Sequence, residues 1–99
     1  MTSNELYNSV IEQLKIHNMH PLHKAMLDEC CENALQNKQG ITEKDTLMFA
    51  VQVGFVSANA LLQGTLKAAL AIGDQVTLNY RGQTFIIPKD SPLLKQATT

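Results

Sequence analysis

The sequence lacks a basic cluster. Its eight Lys and Arg residues are scattered from Lys15 to Lys95, and the formal net charge is −1. A domain that binds bulk nucleic acid is normally clearly basic, so this balance counts against that class. Cysteine is nearly absent: Cys30 and Cys31 alone occur, adjacent to each other. On a helix such neighbours diverge by roughly 100°, so they do not bridge, and a disulfide scaffold needs more cysteines at wider spacing. The N-terminal Met-Thr-Ser-Asn-Glu holds no basic segment followed by an apolar stretch, so a secretory signal is not expected. A reducing, cytoplasmic setting is the simplest expectation. Also missing are a serine elbow, a phosphate-cradling glycine loop, a His-Glu-x-x-His helix and a dinucleotide fingerprint. There is no internal repeat and no low-complexity segment. No enzyme class is marked, and no cofactor or small-molecule substrate is expected.

What is present is hydrophobic: 44% of the 99 residues, with only 17% charged. That is too apolar for a disordered chain, and the length suits one small core. The expected architecture is α+β and mostly helical. Two amphipathic helices precede a long or broken central helix over about 42–71, and a C-terminal β-hairpin follows over about 75–88. Residues 1–90 form the domain and 91–99 a flexible tail.

The first helix spans about residues 3–16. Thr2 and Glu5 make a capping box, and Leu6, Tyr7, Val10, Ile11 and Leu14 form one apolar stripe. His17–Pro21 ends it, because the residue before a proline leaves the helical region. The second helix runs from Pro21 to about Gln36 on Leu22, Met26, Cys30 and Leu35. A loop follows to Gly40, and Thr42 opens the third helix. Thirty residues without interruption is long for so small a domain, which makes Gly54 or Gly64 a candidate break. After Gly73-Asp74 the period changes to two: Val76, Leu78 and Tyr80 alternate with Thr77 and Asn79. An Arg81-Gly82 two-residue turn puts Val76, Leu78, Tyr80, Phe85 and Ile87 on one face, while a type I turn with a glycine bulge shifts that register.

Three features bear on function. His17, His20 and His23 lie close to Met19, Cys30 and Cys31, ligand types that suit zinc or copper. However, His23 and Cys30 stand two helical turns apart, roughly 10 Å, so polar loop histidines and small buried cysteines are the plainer reading. A cysteine nucleophile beside a histidine is open on the same grounds, and no spacing selects it.

The second feature is Phe49-Ala-Val-Gln-Val-Gly54-Phe-Val-Ser57. A small residue four before a glycine, flanked by apolar residues, resembles the turn of helix-turn-helix DNA-binding units. The resemblance covers about twenty residues plus the hairpin. It implies Gly54 in the turn, Ser57 capping a reading helix, Asn59 and Gln63 at base edges, Lys67 on phosphate, and Arg81 at the tip of a wing. Ala60 and Gln63 stand where that motif usually has larger apolar residues. Lys67 is the one base on the reading helix, although phosphate contacts supply most non-specific affinity.

The third is the segment from Thr46 to Leu66, which holds no charged residue. It has about the length of a bilayer span, but Gln52, Ser57, Asn59 and Gln63 interrupt it, which favours a protein environment. Gln52, Asn59 and Gln63 share one side of a helix that is otherwise almost wholly apolar. Two short helices and a hairpin are little cover for it. The expected function is therefore a non-catalytic protein-interaction module acting through self-association or docking onto a partner. Its contact would lie on the central helix, with Gln52, Asn59 and Gln63 as the polar part. A winged helix-turn-helix regulator is the alternative, and a covered core helix with one polar exposed line is the neutral reading.

Overall fold

The computed structural model describes residues 2–37 and 43–95. It is mostly helical and α+β, with a long central helix and a C-terminal antiparallel hairpin. The elements are α1 (Ser3–Leu14), α2 (Pro21–Asn37), α3 (Lys44–Leu70), β1 (Gln75–Tyr80), β2 (Gln83–Pro88) and α4 (Pro92–Lys95). The expected loop residues Lys38–Gly40 and the helix start at Thr42 lie outside the described residues. The chain falls into two compact units, Met1–Ala58 and Asn59–Thr99, which divide within α3.

In the first unit, α1 starts as the capping box requires. The Glu5 N–H donates to Thr2 Oγ1 and the Thr2 N–H to Glu5 Oε1, each at 3.1 Å. This carboxylate is held below its ordinary 4.5, first by that backbone N–H and then by the Thr2 hydroxyl. The helix ends at Lys15, in the left-handed region with φ 55. Its N–H reaches Glu12 O and the Ile16 N–H reaches Ile11 O, satisfying carbonyls that a helix end leaves open.

The start of α2 rests on a histidine. The His20 carbonyl accepts the Lys24 N–H at 3.0 Å, and its Nδ1 accepts the Leu22 N–H at 3.0 Å. With Pro21 at the first helical position, His20 acts as the N-cap, a role more often filled by a short polar side chain. The core of this unit joins Leu6 and Val10 of α1, Leu27, Cys31 and Ala34 of α2, and Leu47, Met48 and Val51 of α3.

No break occurs at Gly54 or Gly64: α3 is one helix of 27 residues. A Cβ at Gly54 would meet Cys30 Sγ at 3.7 Å, ordinary contact, and one at Gly64 would meet nothing within 4 Å. The helix therefore needs neither glycine.

In the second unit, β1 and β2 pair antiparallel with Val76 opposite Ile87, Leu78 opposite Phe85, and Tyr80 opposite Gln83. This is the two-residue turn. Arg81 (φ 51) and Gly82 (φ 79) both take the positive φ that a type I′ turn demands. The inward face is the one the alternation indicates, with Ile87 fully buried. Residues 91–95, the described part of the expected 91–99 tail, carry a short helical turn. Ser91 Oγ accepts the Leu93 N–H at 3.2 Å, α4 forms a single turn, and Ser91 and Leu93 are buried. The segment is too short to show a period, so the burial of one leucine escapes sequence reading.

Candidate functional site

The main feature is the part of α3 that belongs to the first unit. Leu47, Met48 and Val51 face the core, and the opposite side is apolar as well. Phe49, Val53 and Val56 are 69%, 50% and 68% exposed. At about 100° per residue these three fall within an arc of about 60°, so they form one stripe. Three uncovered large side chains in a row are informative in a way that a single exposed leucine is not.

Beside the stripe lies a cavity of about 140 Å³. Val10 and Leu14 of α1 line one side, Ile16 and Met19 the connection to α2, and Leu27 of α2 adds to the lining. Phe55 and Val56 of α3 close the other side, and Gln52 is the only amide in a wall otherwise made of apolar side chains. Leu14, which the sequence pattern assigns to the core stripe of α1, is 47% exposed.

The six residues singled out from sequence divide between the two units, Gln52 and Ser57 in the first and Asn59, Gln63, Lys67 and Arg81 in the second. Gln52 is half-buried at the cavity, and Ser57 is exposed in mid-helix. In the second unit, Gln63 is buried. Its Nε2 donates to Leu93 O at 3.0 Å and to Asn59 Oδ1 at 3.3 Å, while Oε1 is buried without a hydrogen-bond partner. Gln63 thus holds the α4 turn within its own unit and does not lie on a free surface. Lys67 and Arg81 are exposed, Arg81 in the hairpin turn.

The helix-turn-helix resemblance loses its central element. Gly54 lies inside an unbroken helix and Ser57 caps nothing, so the Phe49–Ser57 turn does not form. The physical reason is that a single glycine costs a helix only about 1 kcal/mol, which the packing of the neighbouring, fully buried Val51 offsets.

The His/Cys corner is built for packing. Among the described residues, no group of three or more His, Cys, Asp or Glu side chains is placed to hold a metal. Buried His23 meets the Phe55 ring edge-on, with centroids 5.5 Å apart. Burial, reinforced by Asp28 and other nearby acidic groups, pushes the Cys31 thiol up to about 12. Burial also raises the Cys30 thiol, so both sulfurs stay protonated near neutrality and neither is set up as a nucleophile. Both cysteines are unpaired.

By length and composition, α3 is apolar enough to cross a membrane, and only 22% of its most apolar window is buried. Comparison of the chain with protein-family models, curated proteins and solved structures finds no match.

The sequence pattern missed the cavity and the exposure of Phe49. The available signal was the apolar character of α3 on all sides, which marks residues that need cover without saying which of them the fold leaves bare.

Proposed function

We propose that this protein is a non-catalytic interaction module that acts by self-association or by docking onto a partner protein through α3, in the cytoplasm. The observation that carries this is the bare stripe Phe49, Val53 and Val56 on a helix with no charge from residue 46 to 66. Burying apolar surface is worth roughly 25 cal/mol per Å², so a stripe of this kind is a standing drive toward association. Gln52, beside the stripe, is the polar contact of the surface. Gln63, with its Nε2 committed to Leu93 O, acts in stability instead.

A lipid surface is the competing occupant of the same stripe, because the length and hydropathy of α3 would serve it too. The experiment is size-exclusion chromatography with light scattering, followed by flotation with zwitterionic vesicles. Concentration-dependent mass above that of one 10.9 kDa chain, or a complex with a cell protein lost on Phe49→Ala, is the expected result. A monomer that captures no protein and floats with vesicles would overturn the reading.

A further inference from the structure

All three histidines of the chain, His17, His20 and His23, fall between the end of α1 and the first turn of α2. Among the described residues they belong to no metal cluster, and neither cysteine is set up to use one as a base. What His20 does is hold the corner together. Its half-buried ring turns back so that Nδ1 accepts the Leu22 N–H at 3.0 Å. Leu22 is fully buried, and its N–H lies in the first turn of a helix, where no earlier helical carbonyl can accept it. The N–H therefore depends on the imidazole lone pair.

A proton on Nδ1 removes that lone pair and turns the acceptor into a donor. The Leu22 N–H then faces another N–H, and a positive charge stands at the positive end of the 17-residue α2. The surroundings of the ring do nothing to offset this. Among the described residues, His23 of the same turn is the one titratable neighbour acting on His20, and its effect opposes protonation. Neither α1 nor α3 brings a carboxylate to bear on the ring. Lys24, whose N–H bonds the His20 carbonyl, holds its ammonium at Asp28 Oδ2, 3.0 Å away. Burial is the larger influence, and it too keeps the folded pKa below the ordinary 6.5.

We infer that the α1–α2 corner is a latch operated by pH. It is closed while the His20 ring is neutral, and protonation releases residues 15–20 and the first turn of α2 while the core of the unit stays folded. The core permits this, because its buried cluster runs from Val10 directly to Leu27 and takes no member from the corner. Local opening of this kind draws on segments with few core contacts. The released stretch includes Ile16 and Met19, which line the apolar cavity. It also includes His23, whose ring meets Phe55 of the same cavity edge-on. Release of the latch therefore opens that side of the cavity. The inference stands apart from the association reading and does not depend on what meets α3.

The test is amide exchange by NMR on the full-length chain at pH 7.5 and pH 5, read as protection relative to the unfolded rate at each pH. Protection of Leu22 should fall on acidification, by up to about tenfold per pH unit between the ordinary histidine value and the folded one. Leu27 and Val51 should keep theirs. His20→Asn, which supplies an oxygen acceptor and does not titrate, should keep Leu22 protected at both pH values. Equal protection of Leu22 in the wild type at both values overturns the inference. A loss shared by Leu27 and Val51 overturns it too, being general acid destabilisation, and so does a loss that survives His20→Asn. The ring nitrogens give a readout on the wild type alone. Nδ1 of His20 should be unprotonated at pH 7.5 and should titrate together with the loss of Leu22 protection, and a proton on Nδ1 at pH 7.5 overturns the latch.

Discussion

His20 caps α2 through an unprotonated nitrogen, and this gives the fold a pH dependence. Its Nδ1 accepts the Leu22 N–H, which only an uncharged Nδ1 can do. Burial, with a smaller contribution from His23, lowers its pKa from the ordinary 6.5. For a base with a depressed folded value, the unfolded chain binds more protons in the window between the two values. The contribution to stability is therefore fully present above about pH 6.5 and is lost as pH falls through the folded value. Thermal unfolding at pH 7.5 and pH 5 should show a lower Tm in acid. His20→Asn, which keeps a capping acceptor and removes the titration, should shrink that difference; an unchanged difference would assign it to other groups. Gln63 supplies a second test at this scale. Gln63→Ala leaves the Leu93 carbonyl without its donor and should cost about 1–3 kcal/mol in denaturant unfolding. A residue of the association surface would instead change Kd and leave stability alone.

At the scale of elements, α3 matters most. If Gly54 lies in plain helix with room for a methyl group, Gly54→Ala should stabilise the chain by about 0.5–1 kcal/mol, and Gly64→Ala by a similar amount. A turn at Gly54 would reverse the sign of the first, so a pair of thermal melts tests the continuity of the helix. Much of the element map follows from local chemistry. Thr2 and Glu5 announce the start of α1, Pro21 the start of α2, and the period-two run from Val76 to Tyr80 the hairpin. The Arg81-Gly82 register follows from demanding one apolar face. These signals act over a few residues, which is why sequence reaches them. His20 as a cap is less readable, because histidine before proline normally marks only the end of the preceding helix. The bond from Gln63 to Leu93 spans 30 residues and leaves no periodic trace, so a polar residue on an apolar helix looks like a rim residue when it is an internal anchor.

At the scale of the whole molecule, the apolar content is unevenly used. The first unit has its own core around Leu6, Val10, Leu27, Cys31 and Val51, and the second buries Leu66, Leu70, Ile87 and Leu93. Outside those cores, Phe49, Val53 and Val56 stay in water, and composition could not single them out. A hydrophobic pattern shows which residues gain from burial, whereas the number and length of neighbouring elements decide which of them receive it. In the first unit the supply of cover falls short on one side of α3, and that shortfall is the basis of the functional reading. The most direct measurement is sedimentation equilibrium on the wild-type chain and on Phe49→Ala, from micromolar to millimolar concentration. The account predicts reversible association of the wild type and a Kd raised on the order of thirty-fold or more by the substitution. Identical monomers across the whole range, with no partner protein retained on the same face, would contradict it.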